Sequence, residues 1–149
     1  MKRFVLSMMV MVAACAWAGC DESLSSITGP TPNLEPTFTS IQTNIFNMSD
    51  SSGRLACIQC HTDAGRQPAG GLVLLEGRSY QQLVGRASTG KPSATRVIPN
   101  DPDNSYMVHK LEGASDIVGD RMPRGNGPFL TEGQMLVIRQ WIKDGAPNN

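Results

Sequence analysis

The sequence predicts a helical fold, one small domain whose recognisable elements are all helices. Two observations predict it. Apolar residues recur at spacings of three and four near both ends of the domain, as Phe38, Ile41 and Ile45 and as Met135, Ile138, Trp141 and Ile142. Such spacing lines each set up on one helix face. Capping-box patterns, Ser79 with Gln82 and Thr131 with Gln134, stand where further helices would begin. The length of 149 residues suits one domain at the usual size of about 100–200 residues.

Taken in order, residues 1–19 read as an export signal. Lys2 and Arg3 supply the positive start, and residues 4–18 form an apolar run of signal length. The run falls short of the roughly 20 apolar residues of a confident membrane span. Trp17-Ala18-Gly19-Cys20 resembles a bacterial lipobox, in which the cysteine becomes the lipidated first residue of the mature protein; Trp17 stands where Leu is usual. Cys20 is the expected lipidation site. Val12-Ala13-Ala14-Cys15 is a tighter match that would leave a short signal, and ordinary cleavage after Ala18 or Gly19 is the plain alternative. Residues 20–36, with Ser, Thr and three prolines, read as a flexible tether that lets a folded domain at 37–149 reach partners above a membrane.

The first helix is expected at about residues 38–47. Residues 49–53 break it as a polar turn. Residues 62–71, with Pro68 and Gly70-Gly71, read as a loop. Leu72-Val73-Leu74-Leu75 is a short apolar run that is either a buried turn or an extended segment. Ser79 should cap a short helix at about 79–84, closed by Gly85. Residues 86–102 read as loop. Asp103 or Asn104 is expected to cap a helix at about 104–111, with Tyr106, Met107 and Leu111 inward and Gly113 as the stop. Residues 119–128 are loop on composition. Thr131 opens a last helix at about 132–144, ended by Gly145 and Pro147.

Cys57-Ile58-Gln59-Cys60-His61 is the stretch that carries chemistry. Two cysteines three apart followed at once by histidine is the attachment signature of c-type haem. Each thiol adds to one vinyl group, so both sulfurs must lie along one edge of the porphyrin, and the next residue places an imidazole under the iron. The competing readings are plainer. A thioredoxin-like redox pair needs a strand–helix context that is missing here. A zinc site needs a fourth ligand, and the only other histidine is His109. With Cys15 and Cys20 assigned to the signal, the remaining cysteines are the motif pair. Aromatic content is only 5%, low for a core of this size, and one haem c would fill that deficit. Export agrees independently, because bacterial haem c is attached outside the cytoplasm.

The distal ligand must come from a segment that crosses the opposite haem face. Met122 is the candidate: it lies in a glycine-rich loop and is followed by Pro123. A thioether favours ferrous iron and raises the reduction potential; the plain alternative is a gap-filling methionine. His109 is the rival ligand and would lower the potential. An open sixth position is the third option. Phe46 and Trp141 are candidates to pack on the haem or on each other. Arg86, Arg96, Arg121 and Arg124 carry charges suited to haem propionates, but single loop arginines are mostly solvated and none is singled out.

The pattern resembles the monohaem class I type cytochrome c domain, and more closely its planctomycete-type variant. The resemblance covers about residues 38–147. It rests on Ile45-Phe46, the motif at 57–61, Gly71-Leu72-Val73-Leu74, the stretch from Val97-Ile98-Pro99 to Ser105-Tyr106, Arg121-Met122-Pro123, and Leu130-Thr131-Glu132-Gly133-Gln134 through Trp141-Ile142-Lys143-Asp144-Gly145-Ala146-Pro147. It implies an all-α domain of a few helices around one covalent haem, with His61 proximal and Met122 distal. The polar insert at 47–53 departs from the pattern.

Formal net charge is zero over the chain; without Lys2 and Arg3, 11 of the 13 basic residues remain against 13 acidic ones. No basic stripe suits nucleic acid, and the weak charge predicts no strong steering toward a partner. The expected function is electron transfer in the periplasm or cell envelope, with a lipid anchor in the membrane and redox partner proteins. The chain is not expected to be an enzyme. The alternative is small-ligand binding, sensing or peroxidase-like activity at an open haem. A docking module of a larger lipoprotein complex is a further reading.

Overall fold

The computed structural model describes residues 34–149. The expected signal, Cys20 and most of the tether lie outside the described residues. Four helices with short single turns between them build the fold, and the described residues form no strand. The domain is all-α, and no described helix is long and apolar enough to cross a membrane.

Helix α1 is Phe38–Ile41, and it continues without a break as a wide π turn, Gln42–Phe46. Together they match the helix expected at 38–47. Thr37 caps the start, its hydroxyl accepting from the Ser40 amide at 3.1 Å. The wide turn has a cause in Gln42, which is 4% exposed. Its side-chain amide donates to Asn47 Oδ1 at 2.7 Å and to the Leu74 carbonyl at 2.9 Å. It also accepts from the Ser79 hydroxyl. The added residue per turn lets Ile41, Gln42, Ile45 and Phe46 all face inward. Leu34, in the stretch expected as tether, is buried in the core. The last residue, Asn149, accepts from the Phe38 amide through its side chain at 3.0 Å and from the Thr39 amide through its backbone at 2.8 Å.

Helix α2 is Ser79–Leu83. Its expected cap is corrected. Ser79 is inside the helix, wholly buried, and its hydroxyl serves Gln42 instead of a helix amide. A buried amide oxygen without a donor would cost about 1–3 kcal/mol, which outweighs a cap of about 1 kcal/mol. Leu72 to Leu75 is extended, and Val73 and Leu74 are buried.

Helix α3 is Tyr106–Glu112. Neither Asp103 nor Asn104 caps it. Ser105 holds the cap position, and its hydroxyl closes the preceding loop, donating to the Asp101 carbonyl at 2.7 Å and accepting from the Ile98 amide at 2.8 Å. The Asp103 carboxylate pairs with Arg139 at 2.6 Å. Gly113 ends α3 with φ +75°, as expected, and a Cβ there would meet Arg121 Cδ at 2.8 Å.

Helix α4 is Glu132–Lys143. Thr131 and Gln134 form the expected capping box. Thr131→Ala should therefore cost about 1 kcal/mol of stability, read as a shift in the urea midpoint at unchanged slope. Val137, Ile138, Trp141 and Ile142 are its buried face. Trp141 has no exposed surface and meets Phe38 with ring centroids 5.4 Å apart. Phe38 also meets Tyr80 at 5.1 Å and Phe46 at 6.4 Å. The terminal helices thus pack through Phe38, which links Phe46 to Trp141.

Candidate functional site

The motif folds as one tight turn. Cys57–Gln59 is a 3₁₀ turn entered from extended Ala56. The Cys60 and His61 amides both donate to the Cys57 carbonyl, at 3.2 and 2.9 Å. This winding returns Cys60 and His61 beside Cys57. Both cysteines are free thiols, Cys57 half-buried and Cys60 exposed. Burial pushes the Cys57 thiol up, and the Arg54 charge opposes this.

His61 is half-buried, and its Nδ1 is enclosed without a hydrogen-bond partner. Burial lowers its pKa, with the backbone of Leu72 and Ala69 pulling the other way and the Arg96 and Lys110 charges adding to the drop. The backbone around it is pinned: Leu74 donates to the His61 carbonyl at 2.8 Å and Ala69 to the Cys60 carbonyl at 3.1 Å.

Met122 lies at the end of a strap that returns across α3. Its amide donates to the Lys110 carbonyl at 2.8 Å. The preceding Arg121 donates from Nε to the Leu111 carbonyl at 2.8 Å, and its guanidinium lies 3.8 Å from the centroid of the Phe129 ring. The Lys110 carbonyl thus fixes the backbone of Met122. Cys57, Ile58, Leu72, Met107, Met122 and Met135 are half-buried and pack on the edge of the core.

His109 does not serve as a free ligand. Its Nδ1 is 2.9 Å from Asp116 Oδ1, and its Nε2 is 2.6 Å from the Asp103 carbonyl. Both ring nitrogens are occupied.

The arginines separate clearly. Arg124 is exposed and paired with Asp120, and Arg86 is exposed. Arg121 is committed to Leu111 and Phe129. Arg96 departs from the solvated expectation: it is 7% exposed and donates to the Gln82 and Gly71 carbonyls and to Thr89 Oγ1, at 2.8, 3.3 and 3.0 Å. These are neutral acceptors, and among the described residues no carboxylate pairs with it. Burial, and secondarily the Arg86 charge, lowers its pKa.

Arg54 is a residue the sequence reading passed over. It is 1% exposed, and its Nε pairs with Asp50 at 2.9 Å. Its Nη1 donates to the Ile45 and Leu55 carbonyls, both at 3.2 Å, and its Nη2 to the Met48 carbonyl at 3.1 Å. Burial pushes the Asp50 carboxyl up, but hydrogen bonds from Ser52 and Arg54 outweigh it and the pKa is lowered. The insert at 47–53 is thus folded around Arg54 and closes against the helix that abuts Cys57, whose thiol donates to the Ile45 carbonyl at 3.6 Å.

Among the described residues no three His, Cys, Asp or Glu side chains are grouped to hold a metal ion. Compared with family models, curated proteins and solved structures, the chain finds no match.

Proposed function

We propose that this chain is an extracytoplasmic electron-transfer protein of the cytochrome c kind, with one haem c attached through Cys57 and Cys60. His61 is the proximal ligand and Met122 the distal one, and Cys20 carries the lipid that holds the protein to a membrane. Redox proteins are its partners. The observation that carries this reading is the tight turn at 57–61, which holds two free thiols and a half-buried imidazole within five residues.

The residues fit the group in three ways. Half-buried apolar side chains, Ile58, Leu72, Met107 and Met122 among them, suit a large flat porphyrin. The enclosed His61 Nδ1 lacks a hydrogen-bond partner, a cost of about 1–3 kcal/mol that an iron bond to the ring would help offset. Arg96 offers a buried charge near His61, suited to a carboxylate at the porphyrin edge; uncompensated, such a charge costs several kcal/mol.

Cys57 and Cys60 would hold the haem as two thioethers, each thiol adding across one vinyl group to form S–C and C–H bonds with no net change in electrons. Bound there, haem would supply one-electron chemistry between ferric and ferrous iron. The chain does the rest. The 57–61 turn would orient His61 toward the iron, and the Met122 amide on the Lys110 carbonyl fixes the backbone from which its thioether would reach it. With His61 and Met122 both holding the iron, no position would be left for a substrate.

The test is expression of the full chain with haem-attachment machinery. The peptide containing residues 57–61 should gain the mass of one haem, Cys57→Ser and Cys60→Ser should each leave a single thioether, and the double variant none. Reduced wild type should not bind carbon monoxide at neutral pH. Absence of covalent haem would sink the reading, and rapid carbon monoxide binding would move it to an open haem.

A further inference from the structure

The strap from residue 114 to 121 leads into Met122; Lys110 holds it at Val118 and Asp120, and the His109 ring holds it at Asp116. We propose that His109 is a positioning residue for Met122, gripping the Asp103 carbonyl before α3 and the Asp116 carboxylate on the strap so that the two cannot drift apart. The proposal rests on the reading of Met122 as the axial ligand.

The argument starts from the hydrogen-bond inventory. Nδ1 of His109 lies 2.9 and 3.0 Å from the two Asp116 oxygens, and Nε2 lies 2.6 Å from the Asp103 carbonyl. A carbonyl and a carboxylate only accept, so both ring nitrogens must carry protons. Only the imidazolium satisfies both. In either neutral tautomer one ring lone pair faces an oxygen lone pair.

The partners of the ring are themselves held in place. Lys91 Nζ bonds Asp116 Oδ2 at 2.7 Å and its carbonyl at 2.8 Å, so Asp116 bridges two cations. The Asp103 carboxylate is taken by Arg139, which also holds Glu112 at 2.8 Å, leaving the Asp103 carbonyl for His109. Tyr106, with its ring 6.4 Å from that of His109, accepts from the Val118 amide at 2.9 Å. Lys110 donates to the Val118 and Asp120 carbonyls. Strap, α3 and residue 91 thus meet around His109, and the strap then delivers Met122.

The sign follows. The Asp103 carbonyl does most to raise the His109 pKa above 6.5; burial, the next largest effect, opposes it, the Asp116 carboxylate adds to the rise, and the Lys91 charge subtracts from it. A raised folded value means the grip is complete below the unfolded value and is lost as pH rises through the folded one. The strap is therefore tightest in mild acid and loosens on the alkaline side of the usual histidine range.

The experiment uses haem-loaded full-length protein. Three quantities are followed against pH: the His109 ring proton by NMR, the amide protection factor of Val118, and the sulfur-to-iron charge-transfer band of the ferric form. Val118 protection should fall several-fold with the His109 midpoint, and the band should weaken with it. His109→Gln should remove that step from both profiles, and Asp116→Asn, at an exposed position, should move it to lower pH. Protection and band that stay flat through the His109 titration, or a wild-type profile in His109→Gln, would overturn the proposal. Protection that follows His109 in a protein lacking the band at every pH would leave the grip standing and remove Met122 as ligand.

Discussion

Met122→Ala should lose the weak sulfur-to-iron charge-transfer band of the ferric protein, turn the spectrum high-spin and let the reduced form bind carbon monoxide. Haem attachment should be unaffected, because Cys57, Cys60 and His61 lie on another segment. The strap should also keep its course, since Met122 is held through its backbone amide on the Lys110 carbonyl at 2.8 Å and not through its side chain. The reduction potential should fall, because a thioether favours the ferrous state; the drop is expected to be a sizeable part of the roughly 0.8 V that axial ligation can span. Absorption spectra and a redox titration read all of these changes. A wild-type band retained in the variant would remove Met122 from the iron.

Arg54→Met should destabilise the domain by about 3 kcal/mol, at the lower end for breaking a buried ion pair. Methionine keeps much of the apolar stem but leaves the Asp50 charge unpaired and the Ile45, Leu55 and Met48 carbonyls without their donor. The lower end applies because the Asp50 side chain keeps 15% of its surface in water. In a domain of this size that corresponds to a fall in Tm of roughly 10 °C. Adding Asp50→Asn should recover part of the loss, because the stranded charge is then gone. A single-variant loss below about 1 kcal/mol would mean that water reaches the site and the bridge is ordinary surface electrostatics.

Much of this was legible in the sequence. The terminal helices announced themselves through Ile41, Ile45, Ile138 and Trp141, because a one-sided apolar stripe is a local pattern with a single reading. Thr131 and Gln134 were readable for the same reason: a capping box is complete within four residues. The spacing of Cys57, Cys60 and His61 stands out in the sequence, and the structure adds that they fold as one tight turn. Ser79 looked like the same kind of signal and was not, since its partner is Gln42, distant in sequence and met only after packing. Arg54 and Arg96 were hidden likewise. Their acceptors are mostly backbone carbonyls, which carry no sequence signature, so burial of these charges could not be foreseen from the chain.

The bonds between α1 and Asn149 also say something about how the domain forms. Phe38 and Thr39 meet the last residue across more than a hundred positions, and the Phe38–Trp141 contact spans nearly as many. Little within α1 itself could hold it in isolation, because nine helical residues fall short of the roughly 12–15 at which even favourable helices become marginal in water. Its order is therefore borrowed from the far end of the chain, after a closure whose entropic cost grows only slowly with length. The α1–α4 seam thus ties the start of the described domain to its end, and α1 depends on α4 and Asn149 for its hold.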